Sequence, residues 1–185
     1  MKEITNPFEA AMKVMKTIVD NEPKSPLHVG EVYYCWLYLT TIHEAKIYMQ
    51  AGLNITSDDE LKHVLDKSKK QCGSQAKRLE NFMLKEGIQL PPMPEDKPDS
   101  NPNDVPLGVK LTDEEIANGV SVKTAYSTSM CATTAAQSIR SDMGLMFMEF
   151  LAEKAVFGAE LKVLMRKRGW IKVPPYYYPP GKPKQ

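Results

Sequence analysis

Two histidine–glutamate pairs are the residues of this sequence whose types and spacing come nearest to a metal site. Glu60 and His63 form a Glu-x-x-His motif, and His43 is followed directly by Glu44. Residues three apart on a helix share a face, so Glu60 and His63 can bind the same ion. Bundles that hold two metal ions take a Glu from each of two helices and a Glu-x-x-His from each of the other two. We expect His43 and Glu44 to lie near the turn that precedes Glu60.

The distribution of histidine argues against such a centre. The histidines are His28, His43 and His63, so the second half of the sequence cannot supply a Glu-x-x-His motif. Glu60 also has an alternative role as the last acid of a capping box that begins at Ser57. We therefore predict no cofactor and commit to no metal ligand. Two interpretations of the candidate residues stay open: they form a non-standard metal site, or they are ordinary polar side chains. The four residues are His43, Glu44, Glu60 and His63.

The cysteines indicate buried, reduced thiols. Cys35, Cys72 and Cys131 are odd in number and contain no C-x-x-C motif. This pattern excludes a zinc finger and a disulfide framework, and it is typical of an intracellular protein. Counting from the predicted turns places the three thiols at similar heights, where cysteines behave as small apolar side chains.

The last predicted helix carries carboxylates that could serve acid–base chemistry. Glu149, Glu153 and Glu160 follow one stripe, but basic residues alternate with them, and we interpret the stripe as a solvated face. The basic residues are Lys154, Lys162 and Arg166. The sequence contains no P-loop, nucleophile elbow or H-E-x-x-H motif, and we predict no catalytic residue.

Apolar residues recur at helical spacing over four long stretches. They are residues 26–51, 57–86, 112–138 and 141–169. The predicted N-terminal caps are Ser25, Ser57, Thr112 with Glu115 as its capping-box partner, and Ser141. A shorter amphipathic helix is predicted to begin at Asn6. Its apolar side chains are Phe8, Ala11, Met12, Met15, Ile18 and Val19.

The segment between the second and third helices decides the topology. Residues 87–111 are rich in proline and lack periodicity, so they form no helix. A connection of this length can extend about 80 Å, whereas each helix is only about 40 Å long. We therefore predict an all-α, ferritin-like four-helix bundle with one long crossover. The predicted divisions are an N-terminal helix and linker (1–24), the bundle (25–170) and a tail (171–185).

The composition excludes several partners. The formal charge is +1 and the isoelectric point about 7.7, which argues against nucleic acid and anionic lipid. No apolar run approaches the roughly 20 residues of a membrane span.

The tail is rich in proline and tyrosine. Gly169 should end the last helix, and Trp170 should fold back over the bundle end. Tyr176, Tyr177 and Tyr178 follow a proline pair. Either they are displayed to partner proteins, together with Trp170, or they pack along the bundle's own groove.

Three stretches resemble a known family. "GEVYYCWLYLTT" in the first long helix, "SIRSDMGLMF" at the last corner and "LMRKRGWIKVPP" at the exit are similar to spore-coat F-like proteins of endospore-forming bacteria. They resemble still more a related bacillar family of ferritin-like bundles. The resemblance implies a structural protein of the spore coat that lacks a complete di-metal ligand set and assembles with itself or with other coat proteins.

Two further functions stay open beside this one. The first is a ferritin-like metal-binding protein or oxidoreductase with a non-standard site. The second is a small-molecule binder with a cavity among the small residues of the third helix.

Overall fold

The structure is a computed structural model that describes residue 10 and residues 24–180. Secondary structure in these residues is entirely helical. The four long helices are α1 (Val29–Leu53), α2 (Asp59–Lys85), α3 (Asp113–Gln137) and α4 (Ser141–Arg168). A short 3-10 turn, Pro102–Asp104, lies between α2 and α3. The helix predicted to begin at Asn6 lies outside the described residues, apart from helical Ala10.

The four helices have the predicted ferritin-like connectivity. Gly52, at the end of α1, lies against Leu65 near the start of α2 and Ile116 near the start of α3. α2 and α3 therefore begin at the same end of the bundle and run parallel. The segment between them must cross the whole length of the bundle, as its length predicted.

Two core clusters fill the bundle. The first cluster lies where α1 begins and α3 ends, and its buried members include Cys35, Tyr38, Leu39, Ile42, Cys72, Leu79, Met83, Cys131, Met143, Phe147 and Phe150. The second cluster lies at the opposite end, and its members include Met49, Leu61, Leu65, Ile116, Val120, Phe157, Leu161 and Leu164. Burial of this apolar surface is the main stabilisation of the fold.

Three of the predicted N-terminal helix caps are wrong, and one is confirmed. His28, not Ser25, caps α1, because its Nδ1 accepts from the backbone of Gly30 and Glu31. Asp58, not Ser57, caps α2.

The start of α4 has no side-chain cap where Ser141 was expected. Thr112 and Glu115 form the capping box predicted for α3. The errors share a cause, since several polar residues precede each start and sequence alone does not rank them.

The crossover follows α1. Lys46 pairs with Asp96 at 2.9 Å, and Gln50 donates to Asp99 at 2.9 Å. The side chain of Asn54 donates to the carbonyl of Pro98. These contacts fix the course of the crossover, which the sequence had left open.

None of the helices described has the length and apolar character needed to cross a membrane.

Candidate functional site

The two predicted histidine–glutamate pairs lie apart. His43 is mostly buried and its Nε2 lies 3.1 Å from Glu80 of α2. Glu80 lies about 30 Å farther along α2 than Glu60, at 1.5 Å per residue. Glu44, beside His43, is exposed. His43 and Glu60 are therefore too far apart to share a metal ion.

Glu60 and His63 line a groove between α2 and α4. The groove has a volume of about 460 Å³, and its other polar residues are Asp59, Glu160 and Lys167. Lys167 pairs with Glu60 at 2.6 Å, and Lys67 pairs with Glu160. Among the residues with described positions, no three metal-binding side chains come together. Glu60 and Glu160 instead hold α2 and α4 together through these ion pairs.

An aromatic and polar cluster forms the part of the first cluster that lies toward the middle of the bundle. The rings of Tyr38, Phe147 and Phe150 pack together with centroids 5.3–5.6 Å apart. The Tyr38 hydroxyl donates to Gln75 at 2.9 Å, and Gln75 donates to Glu153 at 2.6 Å. Burial raises the pKa of the Tyr38 hydroxyl, which therefore stays a neutral donor. The cluster links α1, α2 and α4 through a satisfied chain of hydrogen bonds.

A buried lysine lies beside a buried thiol in the same region. The Nζ of Lys154 donates to the Sγ of Cys72 at 3.3 Å, and both residues are almost fully buried. The three cysteines lie in the first cluster, as counting predicted. Burial raises the pKa of the Cys35 thiol to about 12 and that of Cys131 to about 11. These two thiols are therefore protonated and unreactive at neutral pH.

The position of Lys154 corrects the solvated-face interpretation of α4. Glu149 and Glu160 are indeed exposed and paired with bases, but Lys154 points into the core. The signal was present in the sequence, since residues 147, 150, 154, 157 and 161 follow the three-four spacing of a buried stripe. A charged residue in that register is easily assigned to the surface because lysine is almost never fully buried.

The corner between α3 and α4 holds a buried arginine. Arg140 binds Glu86 through both terminal nitrogens, at 2.5 and 2.9 Å, and Asp142 at 2.7 Å. The Arg140 guanidinium lowers the pKa of both carboxyl groups. Glu31 of α1 accepts from the backbone of Ile139 and Arg140. The corner thus fastens α1, α2 and α4 at one end of the bundle.

Small residues of α3 and α4 line a second groove. Its volume is about 430 Å³, and its lining includes Thr124, Ala125, Lys154, Gly158 and Ala159. The hypothesis of a small-molecule binder predicts a cavity among the small residues of the third helix. The groove supplies space there, and the hydroxyls of Thr124 and Thr128 already donate to α3 carbonyls.

The residues proposed for partner contact differ in their surroundings. Trp170 is half-buried against the second cluster, and its carbonyl accepts from Asn118. Tyr176, Tyr177 and Tyr178 are 75%, 82% and 49% exposed. The tyrosines thus offer ring surface, whereas much of Trp170 is used within the bundle.

The order of the helices, the long crossover and the buried core between the helices define this protein as a ferritin-like four-helix bundle. The chain belongs to the family described as "protein of unknown function (DUF3231)", whose model matches residues 13–182.

Three known proteins are similar to it. The uncharacterized protein YvdQ of Bacillus subtilis (strain 168) is 31% identical over 163 residues, which cover 88% of this chain and 96% of YvdQ. The crystal structure of a protein described as a "putative spore coat protein" from Bacillus halodurans C-125 has a TM-score of 0.81 at 33% identity. The match covers 83% of this chain and 97% of that one.

A two-domain protein from Anabaena variabilis ATCC 29413 contains DJ-1/ThiJ/PfpI-like and ferritin-like domains. It matches with a TM-score of 0.60 at 14% identity, over 84% of this chain and 40% of that one. At this identity the likeness concerns the fold alone.

Proposed function

We propose that this chain is a structural protein of the spore coat that assembles with itself or with other coat proteins and catalyses no reaction. The observation that carries the proposal is the content of the bundle's middle. Tyr38, Phe147 and Phe150 occupy the space there, and the ammonium group of Lys154 is buried beside Cys72 of the same cluster. Ferritin-like metal enzymes place carboxylates and histidines from four helices in that position. A core filled by aromatic rings and a buried cation favours a structural role over turnover.

The relatives support the cellular part of the proposal. A protein 33% identical to this chain, and similar over nearly its whole length, is described as a candidate coat protein. Coat association also suits a chain whose formal charge is +1, because such a protein is not drawn to nucleic acid or anionic lipid.

We assign partner contact to Trp170, Tyr176, Tyr177 and Tyr178. Aromatic side chains combine a large contact area with few rotatable bonds, and they are enriched at protein interfaces. The prolines on both sides of the tyrosines favour an extended chain that keeps the rings away from the bundle.

The proposal is tested in spores of the producing organism. Antibody against the purified protein should detect it from the sporulation stage onward, in material extracted from the coat and not in the core fraction. Equal detection in vegetative cells that never sporulate would contradict the assignment. A coat extract from a deletion strain supplies the control for antibody specificity.

A ferritin-like metal-binding protein or oxidoreductase is the second candidate. Its support is the groove that Asp59, Glu60, His63 and Glu160 line together. Titration calorimetry with Mn²⁺, Fe²⁺ and Zn²⁺ should detect no binding tighter than about 1 mM if the coat proposal holds. Stoichiometric binding that a His63→Ala variant abolishes would establish the metal candidate instead.

A further inference from the structure

The outer surface of α1 and α3 is uncharged over much of its length. Glu31 is the one charged residue of stretch 29–42, and it is buried. Residues 124–137 of α3 contain no charged residue. We call the outward residues of these stretches the α1/α3 face. It consists of Tyr33, Trp36, Leu37 and Thr40 of α1 and Tyr126, Ser129, Thr133 and Ala136 of α3.

The face is one surface because its two helices are in direct contact. The Tyr34 hydroxyl donates to Gln137 at 2.7 Å, and the Thr41 hydroxyl oxygen lies 3.7 Å from the sulfur of Met130. Large rings nevertheless remain open on it, since Tyr33 is 57% and Trp36 41% exposed. Tyr126 on α3 is 53% exposed.

Other sides of the bundle are different in character. Ion pairs such as Lys67–Glu160 and Arg78–Glu149 cover the side formed by α2 and α4. The crossover covers part of α1 through Lys46. An uncharged surface with exposed rings, next to sides that carry ion pairs, is typical of an interaction site.

We propose that the α1/α3 face is the docking site for residues 7–19 of the same chain. The apolar residues of that stretch recur at helical spacing, and Ala10 within it is helical. They are Phe8, Ala11, Met12, Met15, Ile18 and Val19. An amphipathic helix that lies in the seam between two helices buries such a stripe against uncharged side chains.

The start of the described bundle places this segment at the right end. The Nζ of Lys24 lies 2.7 Å from Asp142, at the start of α4. Leu27 packs against the first cluster. The chain therefore enters the bundle where α1 begins and α3 ends, which is the end that carries the face.

The lengths agree as well. Residues 20–23 can span about 14 Å as an extended linker. A helix over residues 7–19 is about 20 Å long, and the uncharged stretch 29–42 of α1 is about 21 Å long. The segment therefore reaches the face and covers its length without passing the charged residues beyond it.

Tethering favours this occupant over a second copy. A short linker holds the segment at an effective concentration on the order of millimolar. A second copy at micromolar concentration must bind roughly a thousandfold more tightly to displace it. The docked segment thus keeps the face from pairing with other molecules.

Tryptophan fluorescence tests the proposal, because Trp36 lies on the face and the only other tryptophan is Trp170. In a Trp170→Phe background, deletion of residues 1–20 should shift Trp36 emission to longer wavelength and raise acrylamide quenching at least twofold. Met15→Glu in the full-length chain should reproduce both changes, since Met15 is central in the apolar stripe. Lys13→Glu, on the opposite side of the predicted helix, should cause neither. Helix content by circular dichroism verifies that the bundle persists in each variant.

Two outcomes would overturn the proposal. One is Trp36 emission and quenching that deletion and Met15→Glu leave unchanged. The other is shielding of Trp36 that depends on protein concentration and persists without residues 1–20, which would assign the face to a second copy. Sedimentation of the deletion variant should show increased self-association if the segment normally covers the face.

Discussion

The ammonium group of Lys154 lies 3.3 Å from the sulfur of Cys72, inside the bundle, where each residue is less than 5% exposed. A thiol is a weak acceptor, so this contact offsets little of the cost of burying a charge. Cys72 is the one hydrogen-bond acceptor that the described residues give this ammonium group. The buried ammonium group at this position therefore lowers the stability of the folded protein.

Replacement of Lys154 by Met should therefore stabilise the protein. Met matches the length of the lysine stem and removes the buried charge, so we expect the free energy of unfolding to rise by about 1–2 kcal/mol. Urea denaturation at pH 7 measures the change. Lys162→Met, at an exposed position on the rim of the same groove, is the matched control and should change stability by less than about 0.5 kcal/mol. A loss of stability in Lys154→Met would show that the ammonium group has a better partner than Cys72.

Acid should weaken the corner at Arg140. The guanidinium lowers the pKa of Glu86 and Asp142 in the folded state, so both carboxyl groups bind protons more readily after unfolding. Their contribution is complete above the ordinary values of about 4 and is lost as the pH falls through the folded values. The double variant Glu86→Gln/Asp142→Asn should be less stable than the parent at pH 6, and the gap should narrow at pH 3. Chemical denaturation at the two pH values measures this gap.

The control for the acid experiment is Glu95→Gln, an exposed residue of the crossover. Its difference from the parent should stay near zero at both pH values. A gap between the double variant and the parent that widens in acid would contradict the assigned direction of the pKa changes.

The parts of the fold that the sequence predicted are those governed by local periodicity. The apolar spacing located the helices, and the length of segment 87–111 predicted a parallel α3 because a short turn could not cross the bundle. The Thr112–Glu115 capping box could also be predicted, because both residues lie within one helical turn.

The parts that were missed depend on contacts between distant residues. Arg140 and Glu86 are 54 positions apart, and nothing local to either indicates their pairing. The spacing of the apolar residues in α4 places Lys154 among the buried ones. A surface position was predicted nevertheless, because lysine is almost never fully buried. The separation of His43 from Glu60 likewise follows from the contact with Glu80, which the sequence does not show.

Two glycines within helices should respond oppositely to alanine. A Cβ on Gly73 of α2 meets no atom within 4 Å, whereas a Cβ on Gly119 of α3 would overlap the Tyr48 hydroxyl. Gly73→Ala should raise the free energy of unfolding by about 0.5–1 kcal/mol through helix propensity alone. Gly119→Ala should lower it by about 1 kcal/mol, because Tyr48 must move from its place against the second cluster. Thermal denaturation of the pair measures the contrast, and equal stabilisation by both would show that Tyr48 yields without cost.

Thiol labelling should separate buried cysteines from the unfolded state. Burial holds the pKa of Cys35 near 12 and that of Cys131 near 11, so neither forms appreciable thiolate at pH 8. Peptide mapping after brief treatment with an aromatic disulfide should find both residues unmodified in the native protein. The denatured protein should react at all 3 cysteines. Rapid native labelling of Cys35 or Cys131 would contradict a closed first cluster.

Removal of the tail should separate stability from assembly. Truncation after Val173 removes Tyr176, Tyr177 and Tyr178, which are 49–82% exposed and add little buried area to the bundle. We therefore expect the unfolding temperature to change by less than about 2 °C, because a shift of that size corresponds to about 0.5–1 kcal/mol. Assembly, measured by sedimentation of coat extract with the purified protein, should be lost. Truncation after Pro180 keeps the three tyrosines and should assemble like the full chain. A fall of more than about 5 °C after the longer truncation would show instead that the rings pack along the bundle, since a loss of that size requires about 1–2 kcal/mol of buried contact.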